Sequence, residues 1–181
     1  IIGSVESKKN SKLMAAVSGK IDRIFVDEGS FVKKGQILAY IDNKNYEYLY
    51  NIANANVEKA KAAYESSKLE TENNNLDLNI MKALKNSSAF NNAKYDKLIK
   101  QDLILKTKEK IALSELKAHD NLTKIAKLNL EKSKVRAAFN GVIEELFIEE
   151  GEVANIGSPL FNLIDRENLE ILAEVPSYRV S

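Results

Sequence analysis

Asn86-Ser87-Ser88-Ala89-Phe90-Asn91-Asn92 interrupts a long uniform stretch, Asn45–Arg136, that holds neither Gly nor Pro. Those two residues break helices most reliably, and the Ala, Leu, Lys and Glu that dominate the stretch lose little freedom on becoming helical. Asn and Ser compete for backbone hydrogen bonds and favour turns and N-caps. The stretch therefore divides into two arms of nearly equal length, and the expected structure is an antiparallel helical hairpin.

Periodicity supports this. In the first arm Tyr50, Ala53, Val57, Ala60, Tyr64, Ser67, Thr71, Asn74, Leu78 and Met81 alternate in steps of three and four, the seam of a coiled coil. In the second arm Leu98, Leu105, Ala112, His119 and Ala126 recur every seven residues. Ile104, Ile111, Ala118 and Ile125 stand one step before them, and with Leu116 and Leu130 they are expected to widen one apolar face. The first seam turns polar over Ser67–Asn75, where weak packing is expected.

Around the hairpin the pattern changes to short apolar runs punctuated by Gly, the mark of small β-structure with tight turns. Gly19, Ile21, Phe25, Glu28, Gly29, Gly35 and Leu38 recur as Gly141, Ile143, Phe147, Glu150, Gly151, Gly157 and Leu160, each displaced by the same 122 positions. Val26 likewise matches Ile148, Asp27 matches Glu149, and Ile41 matches Leu163. This internal repeat predicts two β half-motifs that pack on each other, with the hairpin inserted between them.

Composition narrows the function. The 181 residues are 44% hydrophobic with a formal net charge of +1, which argues against a nucleic-acid partner. There is no Cys, so thiol chemistry is excluded, and no apolar run approaches the ~20 residues of a membrane span. With neither a signal peptide nor an initiating Met, the chain is expected to be a mature or trimmed piece. The single His119 excludes a multi-histidine metal site and reads as a seam residue. The acid pairs Asp27-Glu28 and Glu149-Glu150 precede turn glycines and read as solvated turn residues. No nucleophile–base pair and no phosphate-cradling loop is present. The chain is expected not to be an enzyme and to bind no cofactor or metal.

Val17–Asp42 resembles the first half of a lipoyl/biotinyl domain, and Gly141–Ile164 resembles the second. A lipoyl domain split by a helical hairpin is the arrangement of the periplasmic adaptor proteins, or membrane fusion proteins. Ser133–Gly141 resembles that family's return from the hairpin, and Leu169–Tyr178, with Val175-Pro176, resembles the first strand of its β-barrel domain. The resemblance implies an α+β fold: a lipoyl-like β-sandwich split by a coiled-coil hairpin, plus a fragment of an adjoining barrel. The expected divisions are 1–12 (adjoining β-domain), 13–44 (first lipoyl half), 45–137 (hairpin, turning at 86–91), 138–168 (second half) and 169–181 (barrel start).

The resemblance also implies a function without catalysis. Such adaptors form rings between an inner-membrane transporter and a TolC-like outer-membrane channel, in the periplasm, anchored to the inner membrane. The channel would meet the hairpin tip, here Leu84, Asn86, Ser87, Ser88, Phe90 and Asn91. The family's tip motif is an Arg, a Leu four residues on and a Ser seven further; aligned on Tyr95-Asp96, those positions hold Ile80, Leu84 and Asn91, so only Leu84 matches. An RND-type drug efflux pump is the leading reading. An adaptor of an ABC secretion system shares the domain order, but would be expected to carry a much longer hairpin. A lipoyl or biotinyl carrier would need its modified lysine on an exposed two-strand turn. Lys44 stands instead in Asn43-Lys44-Asn45 at the foot of a helix, and reads as a solvated hinge residue.

Overall fold

The computed structural model describes residues 2–7, 10–165 and 169–174, with side chains placed over 10–165. The chain divides into two compact units, Ile1–Glu47 with Leu128–Ser181, and Tyr48–Lys127.

In the first unit, two four-stranded antiparallel sheets enclose the core. One runs in the order β2 (Asn10–Met14), β9 (Pro159–Ile164), β7 (Gly141–Leu146), β4 (Phe31–Val32). The other runs β6 (Lys134–Arg136), β5 (Ile37–Ile41), β3 (Gly19–Ile24), β8 (Val153–Ala154). Ile21, Leu38, Ile41 and Val135 from one sheet meet Val32, Ile143, Phe161 and Leu163 from the other in a single apolar cluster. Each half supplies strands to both sheets, so neither half can bury its apolar face alone.

The repeat reaches individual hydrogen bonds. The Gly29 N–H donates to the Ile143 carbonyl at 2.7 Å, and its repeat-mate Gly151 donates to the Ile21 carbonyl at 2.9 Å. Both glycines hold positive φ, 83° and 92°, a conformation that side chains with a Cβ disfavour. The register shift of β3 on β5 after Ile21 recurs in β7 on β9 after Ile143. The two halves are thus related by a pseudo-two-fold that carries each strand onto its counterpart.

Three expectations require correction here. Residues 10–12, assigned from sequence to the adjoining domain, belong to β2, because their backbone pairs with Asn162–Ile164 of β9. Helix α2 ends at Lys132 rather than continuing through Arg136, because Lys134–Arg136 pairs with β5 as strand β6. Glu28 and Glu150 are also more than solvated turn residues. The Glu150 carboxylate accepts the Ile24 N–H at 2.7 Å, and the Glu28 carboxylate accepts the Leu146 N–H at 3.2 Å. Each half thereby caps an otherwise unpaired strand donor of the other.

A separate two-stranded antiparallel pair joins β1 (Ile2–Ser7) to β10 (Leu169–Glu174). The expected continuation through Val175-Pro176 and Tyr178 lies outside the described residues.

The second unit, Tyr48–Lys127, holds all but the outermost turns of the hairpin. Helices α1 (Asn43–Ala83) and α2 (Asn92–Lys132) have 41 residues each. Every first-arm seam residue named above is buried or half-buried, with Ala60, Thr71, Asn74, Leu78 and Met81 most enclosed. The polar part of this seam is satisfied internally. Thr71 donates to the Ser67 carbonyl, and Asn74 Nδ2 reaches across to the Leu98 carbonyl at 3.2 Å. Such a buried amide fixes which residues face each other across the hairpin. In α2 the inward column of Leu98, Leu105, Ala112, His119 and Ala126 lies on the inner face. The column before it does not: Ile104, Ile111 and Ile125 are 63%, 54% and 56% exposed, and Ala118 is exposed too. Positions 102, 109, 116 and 123 take the inner face in its place, where Asp102 pairs with Lys106 at 2.7 Å.

Candidate functional site

The hairpin turn spans residues 84–91 and is built from backbone and short side chains. Helix α1 closes with the Leu84 N–H on the Ile80 carbonyl, and the Ser87 N–H donates back to the Leu84 carbonyl at 2.9 Å. The Phe90 N–H then meets the Ser87 carbonyl, and Ser87 Oγ accepts the Ala89 N–H. Asn91 starts α2 as its N-cap, its side-chain oxygen accepting the Lys94 N–H at 2.9 Å.

Of the six residues expected to form a docking site, Asn86, Ser87, Ser88 and Asn91 are exposed, and Leu84 and Phe90 are half-buried. The Phe90 ring packs on Tyr95 with centroids 5.6 Å apart. Asn91 commits its side-chain oxygen to capping. The polar amides and hydroxyls of residues 86–88 therefore form the end of the hairpin, and Ile80, 59% exposed, is the large apolar side chain it offers nearby. Sequence reasoning had weighed Ile80 only as a departure from an Arg, and Tyr95 only as an alignment marker. The five-residue step from Phe90 to Tyr95, across a cap, was the available signal for their contact.

The end of the hairpin is electropositive. Residues 80–97 hold Lys82, Lys85, Lys94 and Lys97 against the single acid Asp96.

The remaining candidates are accounted for locally. Lys44 is exposed in the first turn of α1, not on a turn between two strands. His119 is half-buried on the inner face of α2, where its carbonyl accepts the Thr123 hydroxyl. Among the described residues no group of three or more His, Asp or Glu gathers to hold a metal ion. No helix among them is long and apolar enough to cross a membrane.

Comparison with known proteins places this geometry. The chain is 29% identical to the membrane fusion protein MtrC of Neisseria gonorrhoeae over 155 residues, 86% of this chain and 34% of that protein. It is 24% identical to the multidrug resistance protein MdtA of Xenorhabdus bovienii over 182 residues, 99% of this chain and 41% of that protein. It thus spans between a third and a half of these relatives. The solved structure of MacA from Actinobacillus actinomycetemcomitans shares the fold with a TM-score of 0.86 at 22% identity, over 98% of this chain and 56% of that one. A MacA–MexA chimera carrying the Pseudomonas aeruginosa MexA α-hairpin matches with a TM-score of 0.68 at 24% identity, over 97% of this chain and 54% of that one. The family described as RND MFP, barrel-sandwich hybrid domain, matches residues 9–166, both sandwich halves and the whole hairpin between them, and the chain belongs to that membrane fusion protein family.

Proposed function

We propose that this chain is the hairpin-bearing part of a periplasmic adaptor. The adaptor links an inner-membrane transporter of the RND type to a TolC-like outer-membrane channel in a tripartite drug efflux pump. It is held at the inner membrane by an anchor outside these residues and associates into a ring in the assembled pump. Strands β1 and β10 belong, in this reading, to the adjoining barrel domain. The protein acts as a connector and not as an enzyme.

One observation carries the proposal: the family match runs unbroken through a sandwich whose two halves are separated by the hairpin. A carrier domain has no use for such an insertion, whereas a connector uses it to reach a partner. The basic, polar hairpin end supports a contact made by helix ends and hydrogen bonds.

Deleting the gene in its host and measuring accumulation of fluorescent efflux substrates tests the reading. Accumulation rises several-fold on deletion and returns to normal with the full-length gene. Unchanged accumulation, in a host where disabling the neighbouring transporter does raise it, would overturn the proposal.

A further inference from the structure

Three consecutive seam positions of α1 are polar: Ser67, half-buried, and Thr71 and Asn74, both buried. Between Tyr64 and Leu78, the seam residues that bound them, about 21 Å of helix turns no large apolar side chain toward α2. Helix α2 answers with Leu98 and Leu105 and sets Asp102 between them. To one side of this layer both helices bring apolar seam residues, Ala60 and Leu116 among them. To the other, Leu78 and Met81 stand with Tyr95. Within the layer only α2 does so.

The hydrogen bonds do little to close the layer. The Ser67 and Thr71 hydroxyls donate to the Tyr64 and Ser67 carbonyls of their own helix, at 2.8 and 3.1 Å. Such back-bonds hold nothing across the hairpin, and they favour bending of the helix that carries them. Asn73-Asn74-Asn75 adds three poor helix formers in a row. Among the described residues two polar links cross the hairpin here, Asn74 Nδ2 to the Leu98 carbonyl and Lys108 to Glu70 at 3.3 Å. The second is exposed, where an ion pair contributes little.

Asp102 makes the closed layer costly. Its Oδ2 takes Lys106 at 2.7 Å, while its Oδ1 is enclosed and meets no donor among the described residues. A carboxylate oxygen withdrawn from water without a donor is unfavourable, and parting the helices here returns it to water. We propose that this layer is a flexure: residues 67–75 of α1 and 98–105 of α2 part and reclose in place, and Asn74 returns them to register. The part of the hairpin beyond the layer tilts about it, which lets the hairpin end seat on a partner that is not aligned with the hairpin axis. This use of the tilt rests on the adaptor function proposed above; the flexure itself does not.

Hydrogen exchange on the full-length protein, read by mass spectrometry, tests the flexure. Amides of residues 67–75 and 98–105 are expected to exchange at least tenfold faster than those of 57–63 and 112–118, and than those of 76–82. Exchange that rises steadily along the hairpin to its turn, with no maximum at the layer, would overturn it. Thr71→Val with Asp102→Leu then makes the layer apolar and removes the enclosed oxygen. Exchange in the layer should slow at least tenfold and the melting temperature rise. Efflux by cells holding the variant at normal levels should fall several-fold, although no residue of the turn has changed. Unslowed exchange in a folded variant would overturn the assignment to these residues; if the variant does not fold, the wild-type exchange pattern decides. Slowed exchange with full efflux, in a host where deleting the gene does impair efflux, would overturn the role in the pump and leave the adaptor reading standing. Efflux unchanged by deletion overturns the adaptor reading instead, while the exchange pattern still decides the flexure.

Discussion

Ser133 Oγ lies 2.9 Å from the side-chain oxygen of Asn43, joining the residue after α2 to the first residue of α1 across 90 positions of sequence. It lies 2.8 Å from the Leu130 carbonyl as well, and its one proton can serve only one of these oxygens at a time. The Ser133 side chain is fully buried, its carbonyl accepts the Ile41 N–H, and the Asn43 N–H donates to Asp22. Within the first unit, the start of α1 and the residue after α2 are therefore fastened to each other and to the strands beside them.

Ser133→Ala removes the hydroxyl from this fully buried site without adding bulk. A loss of about 1–3 kcal/mol is expected in urea unfolding. Hydrogen exchange at Asn45 and Tyr46, whose N–H groups bond to the Asp42 carbonyl, should accelerate, while exchange near Leu105 stays unchanged.

Two glycines should separate by mechanism. A Cβ on Gly141 would run into the Ile164 backbone carbonyl in the neighbouring strand, which cannot yield without breaking the β7–β9 pairing. Gly141→Ala should cost more than ~2 kcal/mol. Gly29 has open space around its Cβ position but a positive φ, so Gly29→Ala should cost only about 1 kcal/mol. Chemical denaturation of the two variants checks the order.

Tyr46 supplies a pH test. Burial, and then the charge of Asp42, raise its pKa above the usual 10.0, and its hydroxyl donates to the Ser18 carbonyl at 2.7 Å. The folded state holds this proton more tightly than the unfolded chain does. The stability it contributes is full below pH 10.0 and is lost as pH rises through the higher folded value. Tyr46→Phe should lower stability by about 0.5–1.5 kcal/mol at neutral pH and flatten this part of the alkaline decline. Melting curves between neutral pH and pH 11 compare the two proteins.

The inner seam of α1 was legible residue by residue, because its three-and-four spacing admits one face only. On α2 the same reasoning failed at Ile104, Ile111 and Ile125. A seven-residue column of isoleucines announces a stripe but not the side it faces, and the helix carries two stripes. Asp102 and Glu109 had no apolar side chain to mark them as inner positions, yet Asp102 keeps its carboxylate at the seam by pairing with Lys106. Strand β6 was hidden for another reason: Lys134-Val135-Arg136 directly follows a helix and lacks Gly or Pro, so nothing local marks the change. The repeat was visible in its glycines. The reciprocal caps of Glu28 and Glu150 were not, since acids beside a turn look alike whether or not they accept a backbone N–H.

The geometry of the turn decides how its role should be probed. Leu84 is half-buried and Asn91 caps α2, so charging either would disturb the hairpin itself. Asn86→Glu with Ser88→Glu alters exposed side chains and lowers the net charge of residues 80–97 from +3 to +1. If the end docks on a partner, efflux in cells should fall at least several-fold while helicity and melting temperature of the purified protein stay near wild type. Full efflux at normal expression would remove residues 86–88 from the contact.

The central claim is that this hairpin end meets an outer-membrane channel, and site-specific photo-crosslinking tests it most directly. A photoreactive residue replaces Ser88 in the full-length protein in its host, with a second protein carrying it at exposed Asn51 near the other end of α1. The account predicts a crosslinked product from position 88, identified by mass spectrometry as an outer-membrane channel, and none with that channel from position 51. Crosslinks from position 88 only to inner-membrane or soluble proteins, in cells whose efflux remains intact, would contradict it.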